Sequence, residues 1–519
     1  MSVRLGAFLA FSLSFLTPSF AAGMLVVHST RHDVSAPLRN LTGRAPAAVA
    51  EKQMHEPRST GPALTSGKAD PVAQQPIGSL AGVTQGLNFM GQSADDNRAL
   101  LNGIAYVPPD TNAAVGAKQI VQTVNVSMAV YDKRTGALQL GPQLIGAVWS
   151  GFGGLCETSN GGDPVVLYDH LANRWIISQL GFNNSFSDNF QCVAVSTTAD
   201  ATGSYYRYAF PFGALFNDYP KFGVWPDAYY YSANMYGSKF LGALACALDK
   251  NAMLAGKPVA MICFQNDPSV ASLLPADLDG KTLPPAGEPE PFVGIADTGH
   301  LNVFGFHADF ANPSNSTFTG TQIAVAPFSE ICARAISLAC VPEPSPGENV
   351  DALSDRLMFR LAYRNLGDHE SLVVNHTVAG GPLAAVRWYE IRNPAAPFVY
   401  QQGTVYDPSV DYWLGSAAMD KTGDIALGFS ASGQKLYPSV YTVARAAGDP
   451  LGTMSGPLVL SPGGGVQLNN SFKRWGDYSS MSVDPADDCT FWFAQEYYDT
   501  SGTIKWTTRI ASFKFNNCK

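Results

Sequence analysis

The sequence predicts an all-β protein folded as a β-propeller of seven four-stranded blades, with six or eight blades as alternatives. Only 14% of the 519 residues are charged, while glycine and proline supply 49 and 35 residues. Such a chain lacks the side chains of exposed helices and is rich in turn formers, which excludes helical bundles and coiled coils. Its net charge of -9 also excludes a typical nucleic-acid-binding protein, because an acidic surface repels phosphate.

The N-terminus predicts export. Arg4 precedes an apolar run from Leu5 to Leu16, which is shorter than the roughly 20 residues needed to span a bilayer. The small-residue pattern Ser19-Phe20-Ala21 follows, so residues 1–21 are predicted to be a signal peptide cut after Ala21. We therefore expect a secreted or periplasmic protein that is not inserted in a membrane.

Residues 22–80 are rich in Ala, Pro, Ser and Gly and show no apolar periodicity. This composition predicts a disordered leader or propeptide that is dispensable for folding. The propeller is assigned to residues 81–519, with order beginning between Leu80 and Tyr106. The segment Phe513-Lys514-Phe515 is expected to end the last blade of a monomeric protein.

A long repeat gives the number of blades. Short apolar runs end in turns such as Asp132-Lys133-Arg134-Thr135-Gly136, in which Asp accepts backbone hydrogen bonds and Gly supplies a positive φ. At a longer period, an acidic residue precedes an apolar, small-residue strand seven times, at intervals of 53 to 72 residues. The seven copies begin at Asp110, Asp163, Asp218, Glu290, Asp355, Asp411 and Asp477. Each interval accommodates four strands, and the surplus after the third copy is assigned to a Pro-rich insertion, residues 266–289. An array of β-sandwiches is the alternative.

Eight cysteines in an exported chain indicate disulfides. Eight cysteines allow 105 connectivities, and we predict pairing between neighbours in the sequence because each such pair flanks one structural unit. The predicted pairs are Cys156–Cys192, Cys246–Cys263, Cys332–Cys340 and Cys489–Cys518.

Several passages resemble a group of secreted bacterial β-propeller proteins. They are Arg474-Trp475-Gly476-Asp477-Tyr478-Ser479-Ser480-Met481, Cys192-Val193-Ala194-Val195-Ser196 and Tyr219-Pro220-Lys221-Phe222-Gly223-Val224-Trp225-Pro226-Asp227. The resemblance runs from about Tyr106 to Cys518. It implies the propeller fold and transfers no catalytic residue, because the group carries no established activity.

Several kinds of catalytic motif are missing from the sequence. It contains no G-x-S-x-G elbow, no H-E-x-x-H metal motif and no phosphate-binding P-loop. Ala129 to Gly136 matches the docking motif of quinoprotein dehydrogenases only in its turn, and Ser416 to Gly423 is a degenerate relative of the sialidase box. Both segments are interpreted as hairpins.

The acidic repeat is the main candidate site. If all inner strands run in the same direction, their first residues form a ring at one mouth of the central channel. Clustered carboxylates favour a cation, which makes Ca²⁺ the candidate cofactor, and a pair with separated pKa values can cleave glycosides. In the alternative interpretation each Asp caps its own turn. The proposed catalytic residues are Glu157, Asp163 and Asp477, and the proposed binding residues are Asp110, Asp218, Asp355, Arg356, Asp411 and Arg474.

Two of these assignments leave alternatives open. Arg356 and Arg474 either bind an anionic group or pair with Asp355 and Asp477. Glu496, in an aromatic strand, is expected to face solvent.

The sequence leaves two functions open: a carbohydrate-active protein that cleaves glycosides at the channel mouth, or a non-catalytic propeller that binds a glycan or another protein. A polysaccharide is the expected partner.

Overall fold

The computed structural model describes residues 23–43, 70–75, 78, 80, 82–332, 339–469 and 473–519. Four strands precede the first blade. They are β1 (Gly23–His28), β2 (Arg31–Val34), β3 (Ala73–Gln74) and β4 (Val83–Ser93). The predicted signal peptide lies outside the described residues.

The remaining strands form sheets that are antiparallel within each blade and follow one another along the chain, which confirms the all-β prediction. The inner strands of the fourth and fifth blades also pair with each other, in parallel. Blade 1 contains β5 (Asn112–Val115), β6 (Gln119–Val124), β7 (Ser127–Asp132) and β8 (Leu138–Leu144). Blade 2 contains β9 (Val165–Asp169), β10 (Arg174–Phe182), β11 (Asn189–Ser196) and β12 (Tyr205–Gly213). Blade 3 contains β13 (Phe216–Val224), β14 (Ala228–Tyr236), β15 (Phe240–Asp249) and β16 (Ala260–Gln265). Blade 4 contains β17 (Leu274–Asp279), β18 (Glu290–Asp297), β19 (His300–His307) and β20 (Thr317–Ala324).

A small hairpin separates blades 4 and 5. It consists of β21 (Ala339–Val341) and β22 (Val350–Asp351). Blade 5 contains β23 (Met358–Asn365), β24 (Glu370–Ala379), β25 (Ala384–Arg392) and β26 (Phe398–Val405). Blade 6 contains β27 (Asp411–Met419), β28 (Ile425–Gly433), β29 (Leu436–Arg445) and β30 (Leu458–Ser461). Blade 7 contains β31 (Ser480–Val483), β32 (Phe491–Tyr497) and β33 (Thr507–Phe515).

Helices are short and lie between strands. They are α1 (Ala94–Leu100), α2 (Leu155–Thr158) and α3 (Lys250–Leu254), with single 3-10 turns at Leu38–Asn40, Ile145–Trp149 and Pro313–Asn315. Among the described residues no helix is long and apolar enough to cross a bilayer.

The first strands of the seven blades close a ring around the axis. Each packs against the next in the order β5, β9, β13, β17, β23, β27 and β31, and β31 packs against β5 again. Polar side chains tie neighbouring inner strands together at this crowded axis. For example, the backbone N–H of Val166 donates to Asn112 Oδ1 at 3.2 Å, and that of Ala113 donates to Ser480 Oγ at 2.8 Å. The predicted number of seven blades is confirmed.

The last blade is completed by the beginning of the ordered chain. Strand β4 pairs antiparallel with β33, and Val83 faces Phe515 in the ladder. Phe513-Lys514-Phe515 therefore ends the third strand of blade 7, and the prediction that it ends the blade is wrong. The fourth strand comes from residues 83–93, because closing a ring of sheets requires one blade to combine both ends of the chain.

The prediction of a disordered leader does not hold for residues 23–43 and 70–75. Strand β1 pairs with β16 and β2 pairs with β12, so each adds a fifth, outermost strand to blade 3 or blade 2. Leu38 is fully buried in the core between blades 1 and 2. Further along, β3 lies parallel to the outer strand of blade 5. These segments are ordered because the outer edges of the blades have unpaired backbone N–H and C=O groups to which they hydrogen-bond. The composition of the leader cannot indicate that such edges exist.

Ion pairs fasten the same leader segments to the blades. Arg207 donates to both carboxylate oxygens of Asp33, at 2.8 and 2.7 Å. Arg387 donates to Asp70 at 2.7 Å, and the two side chains are 0% and 2% exposed. We call residues 23–43 and 70–75 the N-terminal strap.

Blade 4 departs from the predicted repeat. Its inner strand is β17, which lies inside the segment 266–289 that the sequence assigned to an insertion. Glu290 begins the second strand and therefore does not open an inner strand. The error arises because prolines around Leu274–Asp279 disguise a short strand, whereas Glu290 precedes a longer apolar run.

All four predicted disulfides are present. They join Cys156 to Cys192, Cys246 to Cys263, Cys332 to Cys340 and Cys489 to Cys518. Cys246 and Cys263 face each other in adjacent strands of blade 3, while Cys489 and Cys518 hold the C-terminus against blade 7. Each bridge thus stays within one local unit, as the nearest-neighbour rule assumed.

Candidate functional site

The first residues of the inner strands converge at one mouth of the channel. Asp110 and Asp163 have positive φ values of 47° and 46°, and each lies two residues before its strand. Tyr219 (φ 54°) and Leu414 (φ 50°) lie two residues before Lys221 and Ser416, where the ladders of their strands resume. Asp tolerates this left-handed conformation because its short side chain hydrogen-bonds locally. The repeat is therefore real, but Asp218 and Asp411 do not occupy the same position in it as Asp110 and Asp163.

Asp110 joins three blades at the mouth. Its Oδ1 accepts a hydrogen bond from the backbone N–H of Asp477 at 2.9 Å, and its Oδ2 accepts one from Asn125 Nδ2 at 2.6 Å. Asn125 Oδ1 in turn accepts the backbone N–H of Asp163 at 2.9 Å. Asp110 of blade 1 is thus linked to the backbone of Asp477 of blade 7 directly, and to the backbone of Asp163 of blade 2 through Asn125. Asn125 was missed as a site residue because it comes from a hairpin between strands β6 and β7.

Lys221 of blade 3 lies at the centre of this group. Its side chain is buried, and Nζ lies 3.3 Å from the centroid of the Tyr219 ring and 4.2 Å from that of Tyr478. Burial lowers the pKa of Lys221 to about 7, although the carboxylates of Asp163, Asp110 and Asp218 oppose that shift. The sequence signal for this lysine is a charged residue within the apolar and aromatic segment 219–224 of β13.

The carboxyl groups of this cluster hold protons more tightly than usual. Burial raises the pKa of Asp110 well above its ordinary value, and the nearby Asp163 raises it further. Burial also raises the pKa of Asp163, against the opposing charges of Lys221 and Arg474. Asp163 is nevertheless partly exposed, whereas Asp110 is 1% exposed, so Asp163 is the member that a ligand can reach.

The two arginines near the mouth pair with acids. Arg356 donates to both carboxylate oxygens of Asp355, at 2.9 and 3.2 Å, and its guanidinium lies 4.8 Å from the centroid of the Tyr219 ring. Arg474 forms ion pairs with Asp351 at 2.8 Å and with Asp477. The structural pairing that the sequence offered for both arginines is therefore the one observed.

Two candidates are not joined to this cluster. The carboxylate of Glu157 accepts the backbone N–H groups of Gly151 and Gly153, at 2.9 and 2.6 Å, and no described hydrogen bond or ion pair links it to Asp163 or Asp477. Asp411 Oδ1 accepts the backbone N–H of Ala384 of blade 5 at 2.8 Å, and burial raises its pKa to about 6. Asp110 and Asp411 both bond to another blade, so the idea that each Asp caps its own turn is wrong for these two.

A second layer of buried acids lies beneath the mouth and was not foreseen. Glu496 on β32 is 1% exposed, which contradicts the expectation that it faces solvent. Burial raises its pKa well above the ordinary value, and Asp110, Asp351 and Glu343 add to that shift. Burial likewise raises the pKa of Glu343 to about 8, although the backbone N–H of Gln467 donates to it.

No group of three His, Cys, Asp or Glu side chains in the described part of the chain is arranged to hold a metal ion. Calcium therefore stays a prediction from the sequence.

The far end of the channel is also charged. A cavity of about 40 Å³ there is lined by Asp277, Asp279 and Arg360 of inner strands and by His170 and Asp488 from the connections that follow inner strands. Arg360 pairs with Asp277 at 2.8 Å and with Asp279 at 2.7 Å, and Arg364 pairs with Asp488 at 2.7 Å.

Comparison with known proteins gives only distant likenesses. No protein-family model and no curated protein matches the chain. Among solved structures, an α-L-arabinofuranosidase from Fusarium graminearum shares 8% identity over 80% of this chain and 95% of its own, with a TM-score of 0.37. An α-L-arabinanase from Penicillium chrysogenum shares 10% over 84% of this chain and 100% of its own (TM-score 0.34). Semaphorin 1b from Drosophila, extracellular domains 1-2, shares 7% over 86% and 88% (TM-score 0.30). The seven-bladed architecture accordingly rests on the strand pairing of this chain.

Proposed function

We propose that this protein is an exported propeller that binds carbohydrate at the channel mouth and cleaves glycosidic bonds there. One observation carries the proposal: Asp163 of blade 2 and Asp477 of blade 7 lie at the same mouth, on either side of blade 1, in different electrostatic surroundings. Asp477 is ion-paired with Arg474, whereas burial raises the pKa of Asp163. Carboxyl groups whose surroundings separate their proton affinities are what acid–base cleavage of a glycoside requires.

The roles follow from these surroundings. Protonated Asp163 would donate its proton to the glycosidic oxygen as the bond from that oxygen to the anomeric carbon breaks. Carboxylate Asp477 would stabilise the positive charge that develops on the sugar. The oxygen of a water molecule would then bond to the anomeric carbon, and one proton of that water would return to the Asp163 carboxylate, which restores the acid. Lys221 and Arg474 would act as positioning residues, because their charges oppose the rise in the pKa of Asp163 that burial causes.

A screen of the purified mature protein against polysaccharides tests this proposal, with both binding and new reducing ends measured. We expect Asp163→Asn and Asp477→Asn to abolish cleavage, since the amide cannot exchange the proton or carry the charge. The matched control is Asp309→Asn, which alters a carboxylate that caps an exposed turn after β19. Cleavage that survives both mouth substitutions would contradict the proposal.

The second candidate function is non-catalytic recognition of a glycan or a protein on the same face. Its support is that Tyr219, Tyr478 and Lys221 pack together in the buried layer under the mouth, which gives that face a rigid base. Binding without new reducing ends for any polysaccharide in the screen would favour it.

Export is part of the proposal. Four disulfides are typical of proteins that fold in oxidising compartments. N-terminal sequencing of the protein recovered from a secreting host should begin at Ala22, and a start at Met1 would contradict the predicted signal peptide.

A further inference from the structure

One side-chain amide of blade 1 connects the two carboxyl residues of the mouth. Asn125 Nδ2 donates to Asp110 Oδ2 at 2.6 Å, and Asp110 Oδ1 accepts the backbone N–H of Asp477 at 2.9 Å. On its other side, Asn125 Oδ1 accepts the backbone N–H of Asp163 at 2.9 Å. Three hydrogen bonds in series therefore run from the residue that carries one carboxyl to the residue that carries the other.

These bonds belong to the blade that lies between those two residues. Asp110 precedes the inner strand of blade 1, and Asn125 lies in the turn between β6 and β7 of the same blade. That inner strand packs against the inner strands of blades 2 and 7, which Asp163 and Asp477 precede. We call Asp110 and Asn125 the bridging pair, because they span the interval between the two carboxyl residues around the ring.

The amide of Asn125 has no hydrogen atom left for another partner. Its second N–H donates to the carbonyl oxygen of Pro108 at 2.9 Å. Among side chains of this length, only an amide offers two donors together with an acceptor, because a carboxylate has no donor and a hydroxyl has one. The bonds of the bridging pair therefore specify asparagine at position 125.

The backbone on both sides of this amide has a conformation that needs support. Asp110 and Asp163 have left-handed φ values of 47° and 46°. Residues other than glycine keep such values where the surrounding structure holds them, and they cluster at functional sites. A Cβ built on Gly162 (φ 80°) would lie 2.9 Å from Asn125 Oδ1, so the backbone that leads into Asp163 fits closely around the amide.

Resting on the function proposed above, we propose that the bridging pair sets the distance between the catalytic carboxyls of Asp163 and Asp477. Its two members act as positioning residues through the backbone of the carboxyl residues and need not touch the sugar. The distance matters because one carboxyl must reach the leaving oxygen while the other reaches the anomeric carbon. A displacement of about 1 Å costs about 100-fold in rate.

Exchanging the two side chains of the bridging pair tests the proposal. Asn125→Asp alone sets two carboxylates against each other, and Asp110→Asn alone leaves one N–H facing another. The double variant again has one donor and one acceptor at the contact, and it keeps an acceptor for each backbone N–H. It loses the bond to the carbonyl of Pro108, so its recovery should be incomplete.

The rates are measured on the polysaccharide that the wild-type protein cleaves fastest. We expect each single variant to lower kcat about 100-fold, with KM changed less than about threefold, because substrate binding is retained while the reacting groups are displaced. The double variant should have a kcat at least about tenfold higher than either single variant.

Asn160→Ala is the matched control. Asn160 is also a buried asparagine, and its Nδ2 joins the loop before β9 to the same turn by donating to the carbonyl of Val126 at 3.1 Å. The two glycines between Asn160 and Asp163 are held separately, by backbone bonds of 3.1 Å to Leu180. We therefore expect Asn160→Ala to lower the melting temperature, as Asn125→Asp does, but to leave kcat unchanged.

A second measurement does not depend on cleavage. Asp163 is partly exposed, so a water-soluble carbodiimide with glycine ethyl ester labels its carboxyl, and peptide mapping gives the labelling rate. We expect the rate to rise in Asn125→Asp and to return toward the wild-type rate in the double variant, with no change in Asn160→Ala. Thermal melting checks that each variant is folded, and Asn125→Ser, which adds no charge, replaces Asn125→Asp if that variant does not fold.

The failures of the two proposals are distinguishable. A kcat that Asn125→Asp leaves unchanged, or a loss that the double variant does not relieve, overturns this inference and leaves the carbohydrate site at the mouth. Absence of binding and cleavage in the wild-type protein overturns the proposed function. Equal labelling of Asp163 in Asn125→Asp and in the wild-type protein overturns this inference in either case.

Discussion

Buried charge is used differently in the N-terminal strap and at the channel mouth. In the strap each arginine has a carboxylate of its own, as in Arg387–Asp70 and Arg207–Asp33. At the mouth and beneath it, the carboxyl groups of Asp110, Asp163, Asp351, Asp477, Glu343 and Glu496 share Lys221 and Arg474. A buried carboxylate with its own arginine partner holds two segments of the chain together. Buried carboxyl groups that outnumber the nearby cations destabilise the folded protein until they bind a proton or a cation. The far end of the channel lies between these two cases, since Arg364 pairs with Asp488 alone, whereas Arg360 is shared by Asp277 and Asp279.

Deletion of residues 23–43 should have the largest effect on stability. It removes strands β1 and β2, leaves Arg207 without its carboxylate and empties the pocket that the fully buried Leu38 fills. When the shortened chain is expressed with its signal peptide, we expect a large fall in melting temperature or loss of soluble protein. A deletion variant that melts like the intact protein would show that the strap is dispensable, as its composition suggested.

Asp70→Ala should have the next largest effect. It leaves the fully buried guanidinium of Arg387 unpaired and removes the acceptor of Thr404 Oγ1, at 2.8 Å. Removing one partner of a buried ion pair costs about 3–5 kcal/mol, to be measured by urea unfolding. The control is Asp309→Ala, at an exposed turn. An equal loss of unfolding free energy in both variants would show that the Arg387–Asp70 ion pair contributes no more to stability than an exposed turn does.

The pH dependence of stability should reveal the unbalanced mouth. Burial raises the pKa of Glu343 to about 8 in the folded protein, against 4.5 for the free side chain. A raised carboxyl pKa gives stability that is complete at low pH and is lost as the pH rises, here between about 4.5 and 8. The free energy of unfolding should therefore fall over this range, and Glu343→Gln should flatten the fall. Lys221, whose pKa is about 7, contributes with the opposite sign, and only above that pH. Wild-type stability that rises from pH 5 to pH 8 would contradict this prediction.

Asp163→Asn should change stability least. The side chain is partly exposed, and the amide oxygen can still accept the backbone N–H of Tyr219, so the free energy of unfolding should shift by less than about 0.5 kcal/mol. Activity on any glycan identified by the screen should nevertheless be lost. A large fall in the free energy of unfolding of this variant would show that Asp163 has a structural role, like the ion-paired aspartates of the strap.

The sequence predicted the blades and the disulfides because both depend on local patterns. Turn residues between apolar runs delimit strands, and each disulfide joins neighbours along the chain. The strap could not be predicted, because β1 is an edge strand with exposed residues such as Met24 and carries no apolar periodicity. Blade 4 was misread because its inner strand lies among prolines.

The repeat predicted only those site residues that lie at the start of an inner strand. Asp110, Asp163 and Asp477 occupy strand starts, so their spacing placed them at one mouth. Lys221, Asn125 and Glu496 come from a strand interior, a hairpin and a second strand, and they meet the others only through packing between blades. The period of a repeat tells which residues share a height along the axis, but it does not tell which side chains from other heights fill the space between them.

The pairing of β4 with β33 also sets an order of events during synthesis. Residues 83–93 emerge early from the ribosome but cannot find their partner until residues 507–515 have been made. Blades 1 to 6 can assemble from contiguous chain, whereas blade 7 must wait for the end of translation. Until then blade 7 lacks its fourth strand, and the ring of blades is not closed.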